Sequence, residues 1–177
     1  MKRLAMIFLI GFVFLLFQAP IVAAQFFEAG VQKVEPPIPA PDFMLNKLGG
    51  GTVSLKALRG KIVILNFFAT WCDVCQKEAA SFKHLKEDIK NEDVVFLRVA
   101  ILSDQEDVRR FKKEFDVSSQ ILIDKKGAVA RAYKIFGHHE TFFINREGKI
   151  VGRTFAETDW ASESMRDLIK YLLAQDG

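Results

Sequence analysis

The segment Ile62–Phe68 constrains this chain more than any other. It reads Ile-Val-Ile-Leu-Asn-Phe-Phe, an apolar run broken only by Asn66. A strand with one wet face alternates apolar and polar residues. A continuous apolar run bounded by turn residues instead predicts a strand buried on both faces, the situation of a sheet covered by helices on both sides. The chain then reads Ala69-Thr70-Trp71-Cys72-Asp73-Val74-Cys75 and continues into a helical pattern from about Cys72 to Lys90. A buried strand turning directly into a helix is the opening unit of an α/β fold.

The remaining pattern extends that alternation. Thr52 to Leu55 is a short strand candidate, and Val94 to Leu102 a second buried strand. Ser103-Asp104-Gln105-Glu106 has the spacing of a capping box, opening a helix whose inner stripe is Val108, Phe111 and Phe115. Ile121 to Ile123 is a further strand, ended by the turn Asp124-Lys125-Lys126-Gly127, and a short helix covers Ala128 to Ile135. Thr141 to Ile144 and Ile150 to Phe155 flank the turn Asn145-Arg146-Glu147-Gly148 and predict a hairpin. The last helix starts near Ser162, with Met165, Leu168, Ile169 and Leu172 on one face. This order predicts an α/β domain with a central mixed sheet flanked by helices on both faces.

Two segments precede that domain. Lys2 and Arg3 lead an apolar run from Leu4 to Phe17, followed by Pro20 and Val22-Ala23-Ala24. A basic flank, an apolar stretch and a small-residue site predict a secretory signal over residues 1–24, cut after Ala24. The alternative is an uncleaved membrane anchor, since the stretch is long enough to span a bilayer. Either way an exported, periplasmic or extracytoplasmic protein is expected. Residues 25–41 carry Pro36, Pro37, Pro39 and Pro41 and predict an extended linker, which leaves residues 42–177 as the folded domain. A net charge of +3 gives no support for nucleic-acid binding, and no repeat is present.

The chemistry is expected at the strand-to-helix turn. Cys72 and Cys75, the only cysteines, are too few for a disulfide-stapled scaffold or a four-cysteine zinc site. Two cysteines separated by two residues at a helix start can close a disulfide with little movement. The positive end of the helix favours thiolate on the first, so Cys72 is expected to attack and Cys75 to resolve the mixed disulfide. The bland alternative is a permanent disulfide or half of a zinc site, but a C-x-x-C beside a βαβ pattern reads first as redox. Glu78 shares a helix face with Cys75, Phe82, Leu85 and Ile89, so it is expected one turn below Cys75 and partly desolvated. Burial raises a carboxyl pKa and suits Glu78 to carry the proton that Cys75 must lose. Its bland alternative is a rim glutamate paired with Lys83 or Lys86. His84, between Lys83 and Lys86, reads as surface. No Pro-x-x-Thr-x-x-Cys arrangement precedes either cysteine, which argues against a peroxidase.

The stretch from Asp42 to Gln175 resembles the TlpA/ResA group of exported, thioredoxin-like thiol–disulfide oxidoreductases. The resemblance lies in Phe43-Met44-Leu45, Val53-Ser54-Leu55, Gly60-Lys61, Asn66 through Cys72, Thr141 through Asn145 and Glu147 through Val151. It implies a thioredoxin-like fold, disulfide exchange by Cys72 and Cys75 with help from Glu78, and no cofactor. It also implies protein thiol or disulfide substrates, among them the haem-binding cysteine pairs of apocytochrome c, and a membrane electron donor. A monomer is expected.

The chain departs from that group at three places. Val74 and Ala80 stand where prolines are usual, and His139, preceded by His138, takes the place of a cis-proline that faces the C-x-x-C. Trp71, Asp73, His138 and His139 are therefore expected to meet substrate or modulate the pair. Asp73 places a carboxylate between the cysteines, which opposes thiolate and predicts a reducing couple, below about −200 mV. His139 beside two thiols opens an alternative, a copper or zinc site of Cys72, Cys75 and His139, since thiolates with imidazole suit those metals.

Overall fold

The computed structural model describes residues 24–175. Residues 1–23 of the expected leader lie outside that range. Eight strands form one sheet: β1 (Gln32–Pro39), β2 (Met44–Lys47), β3 (Thr52–Ser54), β4 (Ile62–Phe68), β5 (Val94–Ile101), β6 (Gln120–Asp124), β7 (Thr141–Ile144) and β8 (Lys149–Thr154). Their order across the sheet is β1-β8-β7-β4-β5-β6-β2-β3. Strand β4 is central, parallel to β5 and antiparallel to β7, and all seven of its residues are buried. The apolar run thus has the expected cause. Among the described residues, the α-helices that follow β3 are α1 (Asp73–Asp88), α2 (Gln105–Glu114), α3 (Ala128–Ala132) and α4 (Glu163–Ala174).

Alternate residues of β4 serve opposite layers. Val63, Leu65 and Phe67 pack with Phe142 and with Ala130 and Tyr133 at α3. Ile62 and Ile64 pack with Phe82 and Leu85 of α1 and with Met165, Leu168 and Ile169 of α4. Phe68, on that same face, joins Cys75 and Ala79 of α1 and Val108 and Phe111 of α2. Each fully buried side chain of this kind contributes about 1.5–3 kcal/mol, so the apolar layers fix where α1 begins relative to the end of β4.

Two local expectations are corrected, and one strand is added. The Pro-rich segment is not a free tether, because Gln32–Pro39 pairs antiparallel with β8. Proline is tolerated there because β1 is an edge strand, and the register slips between Lys33 and Ile38. Phe26 and Val31 ahead of it are buried, Phe26 edge-on to Tyr171 of α4. Strand β2, too short to stand out in the sequence, ties β3 to β6. The capping box at α2 does not form: the buried Ser103 hydroxyl donates to the Ile101 carbonyl at 2.9 Å, and Asp104 takes the N-cap position. Ser162 does cap α4, accepting from the Met165 amide. Among the described residues, no helix is long and apolar enough to cross a membrane.

Candidate active site

The end of β4 delivers Cys72 to the N-cap position of α1. Its backbone is extended (φ −86°, ψ 115°), and its Sγ accepts from the Cys75 amide at 3.3 Å, so the thiol itself is the helix cap. The turn before it is held on both sides. The Cys72 amide donates to the Ala69 carbonyl, and the Gln76 side chain donates to the Thr70 carbonyl at 3.1 Å. Both cysteines are free thiols, Cys72 half-buried and Cys75 1% exposed. Burial pushes the Cys75 thiol well above its ordinary range, and its contact with Cys72 adds to the effect. Cys75 Sγ donates to the His138 carbonyl at 3.2 Å. One sulfur is offered to solvent and the other is held beneath it.

The loop facing the pair is organised by a carboxylate. Glu140 is buried, and its Oε1 accepts from the amides of Phe136 (2.6 Å) and Gly137 (3.1 Å). Its backbone carbonyl accepts from the Phe67 amide of β4. That clamp carries His138 over Cys75, and the His138 ring meets the exposed Trp71 edge-on at 4.3 Å between centroids. Both peptide bonds flanking His139 are trans. It is thus the His138 carbonyl, not the His139 imidazole, that touches a sulfur. Among the described residues, no group of three or more His, Cys, Asp or Glu side chains is placed to hold a metal ion. The alternative ligand set of Cys72, Cys75 and His139 is not assembled. Asp73 lies exposed in the first turn of α1.

Removing the Glu140 carboxylate leaves two loop amides without a partner. Glu140→Ala is therefore expected to cost about 1–3 kcal/mol in urea unfolding, whereas Glu140→Gln, which keeps an acceptor oxygen, costs less. Equal losses would mean that the clamp does not act through these bonds.

Glu78 lies where the helix spacing puts it, on the buried face of α1 and 3% exposed. Desolvation raises its carboxyl to about 7, and the Thr158 amide, donating to Oε1 at 2.7 Å, holds the rise in check. The Trp160 indole N–H lies close enough to favour the carboxylate electrostatically, but it has no hydrogen-bond partner in proper geometry. A carboxyl poised near neutrality can take a proton and return it.

Two further residues at the base of the site escaped the sequence reading as functional. Arg98 of β5 is 1% exposed, its Nε donating to Asn66 Oδ1 at 2.9 Å, and Asn66 in turn donates to Thr141 Oγ1. The available signal was a lone charge inside an otherwise apolar strand. Glu140 carried no comparable signal.

Known proteins match this arrangement. The AhpC/TSA family model matches residues 38–153. The thiol–disulfide oxidoreductase ResA of Bacillus thuringiensis subsp. konkukian is 33% identical over 122 residues, 68% of this chain and 69% of that protein. A thiol–disulfide oxidoreductase from Bacteroides fragilis superposes with TM-score 0.66 at 27% identity, covering 76% of this chain and 98% of that one. A thiol:disulfide interchange protein from Chlorobium tepidum gives TM-score 0.69 at 24% identity, over 80% and 99%, and speaks for the fold alone. With its C-x-x-C pair at the start of α1, the chain belongs to the AhpC/TSA thioredoxin-like family, among the ResA-type thiol–disulfide oxidoreductases.

Proposed function

We propose that this oxidoreductase acts as a reductase of protein disulfides outside the cytoplasm, with Cys72 attacking, Cys75 resolving and Glu78 moving the proton. The observation that carries the reading is the inequality of the two sulfurs. Cys72 caps a helix within reach of solvent, while Cys75 is enclosed against the His138 carbonyl and shares the buried face of α1 with Glu78.

The exchange balances as follows. The Cys72 thiolate attacks one sulfur of a substrate disulfide, forming a mixed disulfide and releasing the other substrate sulfur as a thiolate. Cys75 passes its proton to Glu78, and its electron pair attacks Cys72. The Cys72–Cys75 disulfide forms and the second substrate thiolate leaves. The substrate gains two electrons and, after protonation, two protons, and the dithiol loses both. Export rests on the basic and apolar pattern of residues 1–24, and a membrane-bound donor is the partner proposed to restore the dithiol. The resemblance to the TlpA/ResA group makes haem-binding cysteine pairs of apocytochrome c the substrates proposed here. Trp71, exposed and packed on His138, is proposed to meet the substrate chain.

An insulin-reduction assay run beside limited alkylation tests the reading. Reduced protein treated with less than one equivalent of iodoacetamide should carry the label on Cys72 and lose insulin-reducing activity in proportion. Labelling that falls first on Cys75, or activity that survives the Cys72 label, would overturn it.

A further inference from the structure

Arg98 is buried where the fold gains little from it. Its guanidinium lies 4.5 Å from the Phe68 ring centroid, 5.4 Å from that of Phe82 and 5.5 Å from that of Phe111, so aromatic faces wall it in. Its Nε bonds Asn66, but Nη1 is buried with no partner. Among the described residues, no carboxylate stands within ion-pair distance of it. Cation–π contacts return part of the desolvation cost, yet an apolar side chain of similar length would fill the space without leaving a buried donor unmet. Burial pulls the guanidinium down to about 10, which still leaves it charged at neutral pH.

The charge falls on the redox pair. Phe68 and Phe111, which wall the guanidinium, pack in one buried cluster with Cys75, and Phe82 of α1 covers another side of it. Cys75, then Glu78, then Cys72 are the groups whose negative charge favours the cation. The other groups facing these are the His138 carbonyl at Cys75, and the Thr158 amide, the Trp160 indole and Glu157 at Glu78. Arg98 is the one cation among them. We propose that Arg98 is an electrostatic positioning residue for the resolving half of the exchange, stabilising the negative charge that appears on Cys75 Sγ when its proton leaves. The bonds made and broken are those given above: the Cys75 thiolate pair forms the bond to Cys72, the substrate thiolate departs, and the proton rests on Glu78. Arg98 donates nothing and takes nothing; it lowers the cost of the thiolate in a medium where an isolated one is expensive.

The inference rests on the dithiol reading, and Ellman's reagent separates the two. In the wild type, attack by Cys72 releases one coloured thiolate at a rate proportional to reagent, and attack by Cys75 on the resulting mixed disulfide releases a second at a rate independent of it. A single release would defeat the dithiol reading itself. Given two, Arg98→Met and Arg98→Gln are expected to slow the second phase about tenfold at pH 7, slow the first phase less, and move the second phase's pH profile upward. Arg98→Lys restores most of the rate at low pH. Burial drives the charge off a lysine as pH rises, so the ratio of the Lys variant to wild type should fall between pH 6 and pH 9. That ratio decides the matter even if neither neutral variant folds. An unmoved second phase in a folded neutral variant, or a Lys-to-wild-type ratio constant across that range, would overturn the proposal and leave Arg98 a packing residue.

Discussion

Cys75→Ser is expected to halt disulfide reduction by on the order of a thousandfold or more while still capturing substrate. Cys72 remains half-exposed at the helix cap and free to attack, but the buried position that must expel the substrate now holds a hydroxyl. The variant should therefore accumulate as a one-to-one mixed disulfide, seen on a non-reducing gel and dissolved by dithiothreitol. Cys72→Ser should lose the same activity and trap nothing, because a substrate disulfide cannot reach a sulfur that is 1% exposed. Trapping by the Cys72→Ser protein, or turnover by Cys75→Ser, would reverse the roles. The serine hydroxyl can still donate to the His138 carbonyl, so Cys75→Ser should remain folded.

Glu78→Gln should make the protein more stable and slower at once. The carboxyl rises from its ordinary 4.5 to about 7 on folding, so the folded state holds the proton more tightly than the unfolded chain. Below pH 4.5 both states are protonated and the residue costs nothing. As pH rises toward 7 the unfolded chain ionises first, and native stability falls until the folded carboxyl ionises too. Each tenfold difference in proton affinity is worth about 1.4 kcal/mol, which puts the full penalty near 3 kcal/mol. Glutamine keeps an oxygen for the Thr158 amide and cannot ionise. Urea unfolding of Glu78→Gln should thus match wild type at pH 4 and exceed it by up to about 3 kcal/mol at pH 8. The resolving phase should slow about a hundredfold, the usual worth of a positioned proton carrier. A stability gain equal at both pH values would remove the case for a displaced carboxyl.

The sequence exposes the features whose physics is local or periodic. Ile62–Phe68 is legible because two-sided burial leaves no polar alternation, and Cys75, Glu78 and Phe82 because helical spacing alone puts them on one face. Ser162 is legible because its side chain caps its own helix. What escaped depends on partners far along the chain. Prolines in residues 32–39 suggest a tether when counted, but their effect depends on β8, more than a hundred residues away, which makes that segment an edge. His139 falls at a position defined by alignment, whereas the sulfur contact comes from the neighbouring carbonyl, set by the Glu140 clamp. Arg98 was visible as a charge in a buried run. Its meaning required knowing that Phe68, Phe82 and Phe111 close around it.

The Pro-rich strand also decides how this protein treats other copies of itself. A sheet normally ends in a row of free amides and carbonyls that can template another chain. At one end of this sheet that row belongs to β1, where Pro36, Pro37 and Pro39 have no amide hydrogen to offer; at the other it belongs to β3, only three residues long. Gly152 of β8 sits so close under Phe26 and Val31 that an added Cβ would fall 2.7 Å and 2.9 Å from their carbons. A fragment trimmed to begin at Asp42 would strip that cover and bare β8, with Ile150 and Val151, as a long, proline-free border. A domain shortened to begin at Asp42 is thus expected to aggregate more readily than one that keeps residues 24–41, a difference that light scattering at matched concentration would read.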